Sequence, residues 1–194
     1  MSTKTILSPA ALTYQKRMLN PFIFWFAMLF KLPTAVFWRL KMVHLDQEKC
    51  LVSIPYFWRS QNPFKSIYFA ALAGAAELST GALCQLALAG KGSFSMLVVD
   101  FRAEYSKKAN TKIQFTCEQG AELFSLIDTL KPGETNQLTM LSIGKNKAGE
   151  EVARGQALLR RSRARGAARR SADGPDLRQP GGSERHAGSD RCRA

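Results

Sequence analysis

A single carboxylate stands in the longest apolar stretch of this chain. From Ser66 to Gly90 the sequence reads S-I-Y-F-A-A-L-A-G-A-A-E-L-S-T-G-A-L-C-Q-L-A-L-A-G, and its one charged residue is Glu77. On a helix, spacings of three, four and seven place Ala70, Ala73, Gly74, Thr80, Gly81 and Cys84 around it, all of them small. A carboxylate on a small-residue face leaves room for a ligand, and desolvation raises its pKa toward the range of a general base. Burying it unpaired is expensive, so something polar is expected to meet it. The alternative is a structural Glu, hydrogen-bonded to Ser79, Thr80 or the backbone of a second chain, with small neighbours serving tight helix packing. Both readings stand at this point.

Other chemistry is sparse. Asn62 is the nearest side-chain donor before the helix, although Asn62-Pro63 also reads as a turn. Ser66 is placed to cap the helix, leaving first-turn N–H groups to receive an oxygen. Tyr68 and Phe69 read as walls rather than catalysts. Arg59, Lys65, Arg102, Lys107 and Lys108 lie near strand ends, where they meet phosphates or simply solvate a face. With two His (His44, His186) and four Cys (Cys50, Cys84, Cys117, Cys192) far from any C-x-x-C spacing, no metal site, no Ser-His-Asp triad and no cofactor is expected. The cysteines in apolar runs behave as small hydrophobes, which suits a reducing, cytoplasmic setting.

These residues must be positioned by elements, and the periodicity supplies them. Cys50, Val52, Ile54 and Tyr56 alternate with Leu51, Ser53, Pro55 and Phe57 after D-Q-E-K, a strand following a hairpin turn. Residues 66–90 form a fully buried central helix rather than a membrane span, because they are Ala/Gly-rich and lie between strands. Leu97, Val99, Phe101, Ala103 and Tyr105 form the inner face of a half-buried strand, and Ile113, Phe115 and Cys117 that of another, with K-K-A-N-T as the turn between them. A short helix (121–130), a strand (136–143) and a last strand opened by E-E-V-A-R follow.

The two ends differ from this middle. In residues 1–39, P-F-I-F-W-F-A-M-L-F (21–30) is too short to span a bilayer, which needs about 20 residues. It is expected to pack on the core as a helix broken at Pro33; the second reading for 21–39 is contact with a membrane surface, with Trp25 and Trp38 at headgroup level among Lys16, Arg17, Lys31, Arg39 and Lys41. Residues 152–194 carry 11 Arg, no Lys and no aromatic residue. The segment 157–194 is therefore expected to be a disordered basic tail, either an arm for polyanions or a segment foreign to the domain, as from a shifted reading frame. If it cuts the last strand short, a sheet edge is left unpaired and stability falls. Without an aromatic RNA-binding motif or zinc spacing, no specific nucleic-acid partner is expected.

A hairpin, one long apolar helix and then antiparallel strands describe an α+β domain over residues 40–156, a curved sheet wrapped round a single helix: the hotdog fold. The runs N-P-F-K-S-I-Y-F-A-A-L-A-G-A-A-E-L-S-T-G, V-V-D-F-R-A-E-Y-S-K-K-A and K-I-Q-F-T-C-E closely resemble a family of unknown function in the hotdog acyl-CoA thioesterase superfamily, related to phenylacetyl-CoA and 4-hydroxybenzoyl-CoA thioesterases. The resemblance covers about residues 10–154. It implies a homodimer, with a tetramer as a further assembly, and active sites at the subunit interface acting on an acyl-CoA thioester. In that setting Glu77 would be base or nucleophile, first-turn N–H groups with Asn62 would hold the oxyanion, and Thr80 would orient water or the carboxylate. Ser66, Tyr68, Phe69, Ala73, Gly74 and Gly81 would line the acyl site, and Arg102, Lys107 and Lys108 would meet CoA phosphates. Many active relatives carry His-Gly-Gly at the helix start; this chain has Ile67-Tyr68-Phe69-Ala70. A non-catalytic acyl- or lipid-binding module is the other function compatible with such a pocket.

Overall fold

A computed structural model describes residues 7–164. Three short helices open the chain: α1 (Pro9–Leu19), α2 (Pro21–Lys31) and α3 (Pro33–Phe37). Each begins on a proline, whose fixed φ suits the first helical position and whose missing N–H is not needed there. Ser8 accepts from the Ala11 N–H at 3.1 Å, and Asn20 accepts from Phe22 and Ile23 at 3.0 and 3.1 Å, so the first two helices are also capped. The single N-terminal helix expected from the sequence is thus three, packed on the core through Ala11, Met18, Phe24, Met28 and Ala35.

The hairpin β1 (Lys41–Leu45) and β2 (Cys50–Ile54) follows, turned by Asp46, whose carboxylate accepts from the N–H groups of Glu48 and Lys49 at 2.8 Å. Next comes α4 (Phe69–Leu88), then β3 (Phe94–Tyr105), β4 (Ile113–Cys117), α5 (Gly120–Thr129), β5 (Thr135–Lys145) and β6 (Glu151–Arg163). The strands make one antiparallel sheet in the order β1-β2-β4-β5-β6-β3. It wraps α4, which is buried over most of its length. This is the hotdog fold, with the apolar helix as the core and not a span.

Two expectations about the strands are corrected. Residues 106–112 do not turn β3 into a hairpin with β4: β3 pairs only with β6, at the far edge, and the connection crosses over the helix start, where Ala109 accepts from the Ile67 N–H at 2.8 Å. Within β3 the inward positions are Phe94, Met96, Val98, Phe101 and Ala103, leaving Leu97, Val99 and Tyr105 exposed. A register shift between Val98 and Asp100 moves the alternation by one residue, so a constant period of two misplaces the first half of the strand.

The last strand is also longer than expected. β6 runs to Arg163, through the first residues assigned to the tail, and pairs with β3 on one side and β5 on the other. No edge is left open there, because backbone pairing needs only an extended chain and the inward positions Gly155, Ala157 and Leu159 are small or apolar. Residues 165–194, the rest of the expected tail, lie outside the described residues. At Gly155 the helix comes close to the sheet. A Cβ there would lie 2.7 Å from Ala76 Cβ and 2.9 Å from Phe101 Cζ. Gly155→Val should destabilise the fold by about 1–3 kcal/mol, seen as a lower denaturation midpoint with unchanged secondary structure.

The inward alternation of β6 ends on Arg161, which is fully buried. None of its three guanidinium nitrogens has a hydrogen-bond partner among the described residues. Burial pushes its pKa below the ordinary arginine value, and the neighbouring Cys84 thiol offsets this in part.

Candidate functional site

Glu77 lies near the middle of α4, half-buried on the side of the helix that the sheet does not cover. Along that side run Ala70, Ala73, Gly74, Glu77 and Gln85, all incompletely buried. A cavity of about 500 Å³ opens beside the carboxylate, between α1, α2, α4 and Met96 of β3. Glu77, Gly81 and Gln85 line it from the helix, and Tyr14, Arg17 and Lys31 from the N-terminal helices. No described residue hydrogen-bonds the Glu77 side chain, and burial alone raises its pKa above the usual carboxylate value. Gly81 keeps the approach open: a Cβ there would sit 3.2 Å from Glu77 Oε1.

The structural partners considered for Glu77 in its own chain are otherwise engaged. Thr80 is fully buried and its hydroxyl donates to the Glu77 carbonyl at 2.9 Å, so it faces the helix backbone and neither water nor the carboxylate. Ser79 donates to the Ala76 carbonyl at 2.7 Å and shares a 2.6 Å hydrogen bond with buried Ser142 of β5. Cys84, placed near Glu77 by helical spacing, is buried beside Arg161 instead.

At the helix start the N-cap is Tyr68 and makes no side-chain cap; Ser66, expected to cap, donates to Asn62 Oδ1 at 3.3 Å. Asn62 Oδ1 also accepts from the N–H groups of Phe64 and Ser66, the turn expected of Asn-Pro, while its amide nitrogen donates to no described residue. The Phe69 and Ala70 N–H groups have no partner among the described residues. Tyr68 and Phe69 stand exposed beside them, in edge contact at 4.8 Å, and the Tyr105 hydroxyl donates to the Phe69 carbonyl at 3.0 Å. Gly74, expected to make room for substrate, instead makes room for Trp38, whose Cζ3 would lie 3.0 Å from an added Cβ. Ala73 stays half-exposed on the open side.

The cations expected to meet CoA phosphates are not gathered at Glu77. Arg102 pairs with Glu104 at 3.1 Å and Lys107 with Glu150 at 2.7 Å, both on the surface. Lys108 is exposed with no carboxylate partner among the described residues, and Lys65 is exposed at a left-handed turn. Arg59 stacks over Phe37, Phe57 and Trp58. Sequence reasoning missed Arg17, Lys31 and Gln85 at the Glu77 cavity. Gln85 was within reach of the same argument, since 77, 81 and 85 are successive i,i+4 steps along one helix face. The two cations come from helices whose packing no local pattern specifies.

The half-buried Glu77 carboxylate thus stands over a mostly apolar cavity on the central helix of a hotdog sheet. Solved structures agree on the fold. The chain superposes on a structural-genomics protein (18% identity, TM-score 0.65, 81% of this chain and 100% of that one). It also superposes on a Pseudomonas aeruginosa protein of unknown function described as a probable thioesterase (19%, 0.61, 81% and 97%). A Haemophilus influenzae thioesterase matches over 84% of this chain and 96% of its own, at 10% identity and TM-score 0.59. Among curated proteins nothing matches. By sequence, residues 22–160 match the domain of unknown function DUF4442, and the chain belongs to that family.

Proposed function

We propose that this protein hydrolyses acyl-CoA thioesters, with Glu77 as the general base, and that it works as a homodimer. The observation that carries the reading is the Glu77 carboxylate, without a partner among the described residues, half-buried and open to a cavity large enough for an acyl chain. Glu77 takes a proton from water, and the oxygen attacks the thioester carbonyl carbon. The resulting oxyanion needs N–H donors. The free Phe69 and Ala70 N–H groups are of the right kind but stand seven to eight residues up the same helix, about 11–12 Å along its axis. One chain cannot bring both to one carbonyl, so the donors come from the helix start of a second copy, with Asn62 beside them. Collapse of the tetrahedral adduct breaks the C–S bond; the Glu77 carboxylic acid returns its proton to the departing CoA thiolate, leaving a free acid and a free thiol. The small, incompletely buried side chains at Ala70 and Ala73 let a second helix approach on that side. Arg17 and Lys31 at the cavity, with Lys108, Arg102 and Lys107 at the other end of the helix, serve the CoA phosphates.

A second reading, an acyl-binding module without turnover, draws support from the helix start, where Tyr68 and Phe69 stand in place of a glycine pair. Thiol release from short, medium, long and aromatic acyl-CoAs separates the two. Hydrolysis by the folded protein, with a dimer by sedimentation, is the expected result; acyl-CoA binding without thiol release would leave the module.

A further inference from the structure

The outward face of α2 is nearly as apolar as its inward one. Phe24 and Met28 turn to the core, while Phe22, Phe26 and Phe30, one helical turn apart, are 85%, 61% and 73% exposed. Trp25 of the same helix and Phe37 of α3 extend this surface, and Phe26 and Phe30 hold each other edge-on at 5.1 Å. A contiguous patch of this kind marks an interaction surface. Its surroundings fix the sign of the partner. From Leu7 to Lys41 the chain carries Lys16, Arg17, Lys31, Arg39 and Lys41 and no acid.

Beneath Trp25 a second cavity, about 510 Å³ and separate from Glu77, has an apolar floor that includes Phe24 and Met42, with Arg39, Lys41 and Arg59 in its lining. A smaller one of about 200 Å³ shares Arg39 and Lys41 and adds Lys112. None of these four cations makes an ion pair among the described residues, and Arg59 Nε is buried without a hydrogen-bond partner. Arg39 is held in place by a left-handed backbone (φ 54°) where α3 turns into β1.

We infer that the α2–α3 face docks on an anionic lipid bilayer, its rings in the acyl boundary and Arg39, Lys41 and Arg59 on headgroup phosphates. A helix of 11 residues spans about 16 Å, half of a hydrocarbon core of about 30 Å, so α2 lies in the interface rather than across it. A second copy is a poor occupant, because a two-fold contact would set the same cations against each other. Residues 165–194 offer one large aliphatic side chain, Leu177, and seven Arg against four acids, so they suit this face no better. Trp38, packed on Gly74, is not part of the docking face.

Flotation of the full chain with phosphatidylcholine vesicles, with and without phosphatidylglycerol, tests this. Binding should require phosphatidylglycerol and weaken as salt is raised. Arg39→Gln with Lys41→Gln should weaken it about 25-fold, roughly fivefold per cation. Phe26→Glu, at an exposed position, should abolish it without lowering the melting temperature, and Glu77→Gln should float like the parent whatever its activity. Absence of flotation, equal flotation on both vesicles, or a parent oligomer that Phe26→Glu dissociates would each overturn the inference.

Discussion

Replacing Glu77 by Gln is expected to lower acyl-CoA hydrolysis by about 10²–10⁴-fold while leaving acyl-CoA affinity nearly unchanged. Gln keeps the size and polarity of the side chain but cannot accept the proton of an attacking water. The environment of Glu77 adds a pH signature. Burial raises its pKa above the ordinary value near 4.5, so kcat/KM should lose its acid limb at a pH above that of a solvated carboxylate. The same shift has a stability consequence of defined sign. Between the unfolded value and the raised folded one, the native state binds more protons than the unfolded chain, so stability falls as pH rises through that window. Gln removes this dependence. The variant should therefore melt above the parent on the alkaline side of the window and together with it on the acid side. Thermal melts at several pH values, read beside thiol release, check both halves; a variant that hydrolyses normally would dismiss Glu77 as the base.

Arg161→Met is expected to stabilise the protein by about 1–4 kcal/mol, at roughly 2–4 °C of melting temperature per kcal/mol for a domain of this size. The guanidinium sits at the inner face of β6, and none of its three nitrogens has a hydrogen-bond partner among the described residues. Its neighbour Cys84 cannot neutralise it, because burial pushes that thiol up to about 11 even beside the cation, and it remains protonated at neutral pH. Methionine fills most of the same space with an unbranched, uncharged side chain and removes the guanidinium. Arg161→Lys should give no such gain, since it keeps a buried cation. Equal melting of all three proteins would mean that the guanidinium finds a partner in solution.

The elements around Glu77 were legible in the sequence because each is a local pattern. Cys50, Val52 and Ile54 of β2 and Ile113, Phe115 and Cys117 of β4 are all buried as their alternation requires. The Ala-rich run with one carboxylate gave the central helix to within a few residues of Phe69–Leu88. What failed depended on distant contacts. The shift at Val98/Asp100 displaces the inner face of β3, and nothing local marks it. Thr80 looked available to Glu77 because helical spacing gives angle but not depth; its hydroxyl points into its own helix. The length of β6 was misjudged because arginines read as solvated, whereas two flanking strands supply its backbone partners whatever the side chains are.

The place of β6 in the sheet also orders the events of synthesis. Made last among the strands, it lies between β5 and β3, so the twelve residues of β3 have no strand partner until Glu151 and its successors exist. At about 5–20 residues per second, β3 waits some seconds with a long, partly apolar edge uncovered. During that interval the nascent chain is most open to wrong pairing with its neighbours. Final assembly is then a single late insertion that joins β3 to the sheet and closes it over the helix carrying Glu77. The Glu77 carboxylate is among the earlier parts to be made, and its environment among the last to be complete.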